Sequence, residues 1–191
     1  VTALPHSLRS GDTAVIGVGG GRDILSALWG DSRTVVGIEV NGQLVDLLSD
    51  SHREFAGLAD FPGVELVHDE ARSYLTRESR RFDVIQMSLI DTWASTGAGA
   101  YSLSENGLYT VEAWQVFLDR LAPGGLLSVS RWFAPNDLSE TSRLLSLAVA
   151  SLLESGVEEP SKHLMLVSRG IVATLMVSMD PIGERDVRIV E

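Results

Sequence analysis

The chain predicts an α/β domain of the Rossmann-like, doubly wound kind: a mostly parallel sheet of about seven strands in a three-layer αβα sandwich, with an antiparallel C-terminal hairpin. Three observations predict it. Apolar runs of strand length alternate with segments of helical period, the first run ends in a glycine-rich turn, and the last two runs are separated only by Arg169-Gly170.

The first strand, 13–18, is short and apolar and runs into glycines, after which Ile24, Leu25 and Leu28 recur at helical spacing. A second strand, 34–40, precedes Asn41, an N-cap residue type, and a helix face of Leu44, Leu47 and Leu48. Val64–His68 makes a third strand and 70–76 a short helix. Phe82–Ser88 is apolar enough to be a central parallel strand. Residues 92–107, rich in Gly, Ala, Ser and Thr, form a connection longer than usual, of the length that carries function. Thr110 can then cap a helix on which Trp114, Phe117, Leu118 and Leu121 share a face. Pro123-Gly124-Gly125 ends it and opens the strand 126–131. A helix over 138–154 leads to the hairpin strands 163–167 and 171–179.

A chain of 191 residues with 45% hydrophobic side chains suits one domain, 1–191, and no apolar run approaches the roughly 18 residues needed to cross a bilayer. With 15 basic against 26 acidic side chains the formal charge is −11. That field opposes phosphate backbones and anionic membrane surfaces, so the expected partner is a small molecule and not nucleic acid or membrane. There is no cysteine and the four histidines are scattered, so no metal-ligand motif is present. The polar, helix-like stretch 184–191 and the start at Val1 read as a segment of a longer protein, whose other parts can include membrane segments. A homodimer is left open.

Doubly wound sheets place ligands beyond the carboxyl ends of their strands. After the first strand, Gly17, Gly19 and Gly21 lie in Gly17-Val18-Gly19-Gly20-Gly21-Arg22-Asp23, where missing side chains permit positive φ and close approach of a ligand. The spacing is Gly-x-Gly-x-Gly and departs from the dinucleotide fingerprint, which weighs against a nicotinamide oxidoreductase. Glu39 ends the second strand, where a carboxylate can accept from both hydroxyls of a ribose. After the third strand, Glu70 can accept from an adenine amino group while Ala71 leaves room for the ring; an acidic residue at a helix start also suits the helix dipole alone. Ser88 and Asp91 follow the fourth strand, where Asp91 can act as a base. Trp93, Tyr101 and Tyr109 can wall a pocket, and His6 lies near its expected mouth.

Taken together, Ala14-Val-Ile-Gly-Val-Gly-Gly-Gly-Arg-Asp23, Ile38-Glu39-Val40, Asp69-Glu-Ala-Arg-Ser-Tyr74, Phe82-Asp-Val-Ile85 and Leu108-Tyr-Thr-Val-Glu-Ala-Trp114 resemble the spermidine synthase family over roughly residues 4–132. The resemblance implies the class I S-adenosylmethionine-dependent methyltransferase fold. It also implies transfer of an aminopropyl group from decarboxylated S-adenosylmethionine to putrescine, releasing methylthioadenosine. It is strongest with spermidine-synthase-like domains of larger bacterial proteins, often fused to membrane segments, in which Asp91-Thr-Trp93 and Tyr101-Ser-Leu-Ser-Glu-Asn106 have counterparts. Two acidic residues of the family are missing: the donor-binding Asp of the glycine loop aligns with Gly20, and the catalytic Asp after strand four aligns with Ser88. The second acidic residue of the strand-four motif matches at Asp91, and the proline after it is Thr92.

The expectation is thus a group transferase, methyl or aminopropyl, using S-adenosylmethionine or decarboxylated S-adenosylmethionine and a small acceptor for which the acidic charge suits a cation. Gly17, Gly19, Gly21, Glu39, Glu70, Ala71 and Ser88 would surround the cofactor, and Asp91 and Tyr101 would face the acceptor. The cytoplasm, where the cofactor is made, is the expected compartment. The alternative is a catalytically silent domain that binds an adenosyl ligand and regulates a fused partner.

Overall fold

The protein, described by a computed structural model over residues 1–90, 107–134, 136 and 139–191, is organised on one seven-stranded sheet of order β3-β2-β1-β4-β5-β7-β6. Its elements in chain order are α1 (Leu4–Leu8), β1 (Asp12–Ile16), α2 (Arg22–Trp29), β2 (Thr34–Glu39), α3 (Gly42–Asp46), α4 (Arg53–Ala56), β3 (Val64–His68), α5 (Ala71–Arg77) and β4 (Phe82–Ser88), then α6 (Val111–Asp119), β5 (Leu121–Trp132), α7 (Ser139–Glu154), β6 (Leu164–Arg169), β7 (Val172–Val177) and α8 (Glu184–Val190). The pairings β3-β2, β2-β1, β1-β4 and β4-β5 are parallel, and β7 runs antiparallel to both β5 and β6. The predicted α/β sheet with a reversed strand near its end is therefore present.

Side chains alternate across the sheet and divide the core between its faces. On one face Ile16, Ile38, Ile85, Met87, Leu127, Val129 and Leu175 pack against Ala71 and Leu75 of α5, Trp114 and Phe117 of α6, and Ala148 and Leu152 of α7. On the other, Val15, Val18 and Val35 meet Ile24 and Ala27 of α2, with Leu48 and Leu58 completing the cluster. This second face turns polar toward the middle of the sheet, where Gln86, Ser128, Ser130 and Thr174 are fully buried. The Ser130 and Thr174 hydroxyls bond each other at 2.7 Å. Among the described residues, no helix is long and apolar enough to cross a membrane.

Both predicted caps form: Asn41 accepts from Gln43 N at 3.1 Å and Thr110 from Ala113 N at 3.2 Å. Thr110→Ala should cost about 1 kcal/mol, the usual value of a helix N-cap, read as a lower urea midpoint at unchanged slope. The helix after Thr110 is shorter than its apolar period implies. It ends at Asp119, and Leu121 opens β5 opposite Phe82 instead of extending the helix face. Pro123-Gly124-Gly125 lies inside β5 as an irregularity, where the register shifts between Phe82 and Val84. A Cβ on Gly125 would stand 2.9 Å from the carbonyls of Ala122 and Phe82, so only glycine fits beside that partner. The hairpin turn falls one residue later than predicted, at Gly170-Ile171, with Gly170 at φ +61. At the lower edge Arg9 donates to both carboxylate oxygens of Asp186, at 2.9 and 2.8 Å, fastening α8 to α1 and holding the Asp186 carboxyl below its ordinary range.

Candidate functional site

A cavity of about 440 Å³ opens at the carboxyl ends of β1, β2, β3 and β4, of a size to take most of a nucleoside-sized ligand. It brings together Gly17, Gly19, Glu39, Glu70, Ala71 and Ser88, along with Arg22, Asp23, Asn41 and an apolar wall that includes Ile38, Leu44, Ile90 and Leu108. The crossover at this edge is the reason. β1, β2 and β3 wind to one side of the sheet and β4 and β5 to the other, so the loops after β1 and β4 part and leave a crevice.

Gly17, Gly19 and Gly21 all adopt positive φ, at +78, +52 and +83, which explains the Gly-x-Gly-x-Gly spacing in conformational terms. Their surroundings differ. A Cβ on Gly17 would press on Ile90 Cγ2, whereas Cβ atoms on Gly19 and Gly20 would meet nothing within 4 Å. Gly21 does not line the cavity; it faces Leu58 and starts α2. The open space above Gly19 and Gly20 is therefore where a ligand can lie against bare backbone.

Glu39 is buried, and its carboxylate ties β2 to this turn: Oε2 accepts from Val18 N at 3.0 Å and Gly19 N at 3.3 Å, and Oε1 from Asn41 N at 3.0 Å. A carboxylate offers about four lone-pair sites, so about one remains for a ribose hydroxyl. A second hydroxyl would have to replace the Gly19 amide, the longest of the three bonds. Glu70, which lines the cavity, caps α5, its oxygens accepting from Arg72 N at 2.9 Å and Ser73 N at 2.8 Å, and keeps roughly two further acceptor sites. Asp69 accepts from Glu70 N and pairs with Arg77. Ala71 is 6% exposed and leaves space beside them.

Ser88 ends β4 against the cavity, and the chain turns immediately after it at Leu89, whose φ of +52 is unusual for a side chain of that size. Such a conformation costs about 1–2 kcal/mol; Leu89 N is held there by Ser130 O at 3.0 Å. Behind Ser88 lies a polar network that the sequence reading missed. Gln86 is fully buried in the middle of β4; its Nε2 donates to Ser88 Oγ at 3.0 Å and to Thr2 O at 2.9 Å, and its Oε1 bonds His6 Nε2. One amide within the apolar stretch Val84-Ile85-Gln86-Met87 was the available signal. His6 is therefore buried behind the site and not at its mouth, and Tyr109 packs on the core beneath Arg131, whose Nη1 donates to its hydroxyl at 2.9 Å. Asp91, Trp93 and Tyr101 lie outside the described residues.

Burial holds the His6 imidazole below its ordinary pKa, opposed by the bond to Gln86 and the charge of Asp23. The unfolded chain, with an ordinary histidine near pH 6.5, then binds the proton more readily than the folded one. Stability is full above that pH and falls as the pH drops below it toward the lower folded value. Urea midpoints measured from pH 7 to pH 5 should decline, and His6→Gln should flatten the decline.

No family model matches the chain. Over 120 residues, 62% of the chain, it is 29% identical to polyamine aminopropyltransferase 2 of Pseudomonas aeruginosa, and that match spans 32% of the relative's length. Among solved structures, a spermidine synthase in complex with the transition-state analogue AdoDATO superposes with a TM-score of 0.69 at 19% identity, covering 96% of this chain and 60% of that one. The spermidine synthase of Thermotoga maritima gives 0.66 at 19% identity, covering 97% of this chain and 59% of that one. Human methyltransferase-like protein 13 in complex with SAH gives 0.66 at 14% identity, covering 97% and 83%. The chain thus spans about 60% of the spermidine synthases it superposes on. It has the class I methyltransferase fold that spermidine synthases share, and its sequence resembles the polyamine aminopropyltransferases.

Proposed function

We propose that the domain binds S-adenosylmethionine or its decarboxylated form and is a group transferase acting on a small acceptor. The observation that carries this is the cavity at the strand ends, with bare backbone at Gly19 and Gly20 and, next to it, the buried Glu39 carboxylate. The donor set fits an adenosine. Glu39 offers an acceptor for a ribose hydroxyl, Glu70 one for an exocyclic amine, and Ala71 with Ile38 and Leu108 an apolar seat for the ring. The similar structures, a spermidine synthase in complex with a transition-state analogue and a methyltransferase-like protein in complex with SAH, agree with such a ligand. The ligand's sulfonium would supply an electrophilic carbon; the protein's part is to hold it in line with the acceptor. The cytoplasm, where this ligand is made, is the compartment the proposal implies.

A second reading, a catalytically silent adenosyl-binding regulatory domain, is favoured by Ser88. The family it resembles has a carboxylate there to take the proton of an attacking amine, and a serine hydroxyl is no base near neutral pH. Incubation with methyl-labelled S-adenosylmethionine or aminopropyl-labelled decarboxylated S-adenosylmethionine, with a panel of amines and hydroxylated acceptors, separates the two. Label transferred to any acceptor supports the transferase; tight binding with no transfer supports the silent domain. Asp91 and Tyr101 remain the proposed acceptor-facing residues, tested by loss of transfer in Asp91→Asn and Tyr101→Phe.

A further inference from the structure

We propose that Ser88 is an oriented hydrogen-bond donor at the β4 end of the cavity, and that the site therefore takes carboxylate-bearing S-adenosylmethionine in preference to the decarboxylated form; this rests on the adenosyl ligand proposed above. The orientation follows from a chain of obligatory roles. The Thr2 carbonyl can only accept, so the Gln86 atom 2.9 Å from it is the amide nitrogen and the opposite atom is the oxygen. That oxygen must receive from His6 Nε2, which fixes the neutral histidine in its Nε2–H form and leaves Nδ1 without a partner. The second amide hydrogen of Gln86 then points at Ser88 Oγ, 3.0 Å away. With both amide hydrogens donated and nothing on that nitrogen to accept, the Ser88 hydroxyl must donate elsewhere, and the side open to it is the cavity.

The sheet order places that donor. A nucleoside held by Glu70 on the β3 side and Glu39 on β2 runs past the glycine turn after β1 and brings its tail to β4, three strand spacings of about 4.8 Å away. An acceptor on that tail matches an O–H donor, and a carboxylate matches it best. Arg22, the only basic residue lining the cavity among the described residues, stands at the same glycine turn and offsets the charge of Asp23, with which it is paired. The nearby acids are already engaged: Asp23 by Arg22 at 3.4 Å, Glu39 by three backbone amides, Asp69 by Arg77. Gln86 acts through Ser88 and is a positioning residue.

Calorimetric titration with S-adenosylmethionine, decarboxylated S-adenosylmethionine and methylthioadenosine, which has no amino-acid tail, tests this. The protein should bind S-adenosylmethionine about tenfold or more tightly than the decarboxylated form, the worth of one hydrogen bond to a charged group. Ser88→Ala should bring that ratio close to one while leaving methylthioadenosine affinity unchanged, and Ser88→Asp should reverse it. Gln86→Glu puts an acceptor where the amide N–H stood, turns the Ser88 hydrogen inward and should also collapse the ratio; a merely structural Gln86 would weaken all three ligands in parallel. Preference for the decarboxylated form, or a ratio that survives Ser88→Ala, overturns the proposal. Methylthioadenosine binding with no discrimination between the tailed ligands overturns the Ser88 role alone, whereas no binding of any of the three overturns the adenosyl ligand itself.

Discussion

Replacing Glu39 by alanine is expected to lower the unfolding free energy by about 2 kcal/mol and to weaken nucleoside binding about a hundredfold. Both effects come from one carboxylate. It is 7% exposed and accepts from Val18 N, Gly19 N and Asn41 N, so it joins β2 to the glycine turn after β1. Without it, Gly19 N and Asn41 N can turn to water, but Val18 N is buried and loses its acceptor, a cost of about 1–3 kcal/mol. Release of the buried carboxylate's own desolvation offsets part of this. Binding suffers more, because the ligand loses a charged acceptor and the turn loses the brace that shapes it. Glu39→Gln, which keeps one acceptor oxygen, should fall between. Urea unfolding and calorimetry on the same preparations check the pair of effects; loss of binding at unchanged stability would show that the carboxylate contacts ligand without bracing the turn.

Gly21→Ala should destabilise by about 2–3 kcal/mol without a single atom being added to the cavity. The residue sits at φ +83, where a Cβ costs about 1–2 kcal/mol, and that Cβ would overlap Leu58, which is 1% exposed and locked into the core under α2. The lower entropy of the unfolded alanine chain returns roughly 0.5–1 kcal/mol and does not cancel these costs. Gly20→Ala is the control, since its Cβ meets nothing within 4 Å and its φ is not positive; it should stay within about 0.5 kcal/mol of the parent. Equal urea midpoints for the two variants would contradict the conformational account of the turn.

The sheet was legible because its signals are local. Phe82–Ser88 and Val64–His68 were delimited by apolar runs that the structure reproduces at both ends, and Asn41 and Thr110 declared the helices they cap. The glycine turn and Glu39 were legible for the same reason: strand ends are where a doubly wound sheet binds, and those residues stand at strand ends. What escaped was set by distant partners. Leu121 continues a helical period in sequence, yet pairing with Phe82, 39 positions earlier, draws it into β5. The pairing of His6 with Gln86 spans 80 residues, and nothing periodic announces it. Helices α1 and α4, of five and four residues, are too short to show a period. Glu70 carried two local meanings, and the structure shows it serving as the cap of α5 at the edge of the cavity that it helps to line.

The central claim, that the strand-end cavity is an adenosyl site, is tested most directly by titrating the protein with methylthioadenosine, which carries the nucleoside and sulfur but neither tail nor transferable group. One saturable site is predicted, with a negative heat-capacity change from burial of the apolar wall and a rise in Tm equivalent to about 2.7 kcal/mol at a hundred times Kd. No heat and no shift in Tm at millimolar ligand would contradict it, and would leave the glycine turn and Glu39 as a structural brace at the edge of an empty crevice.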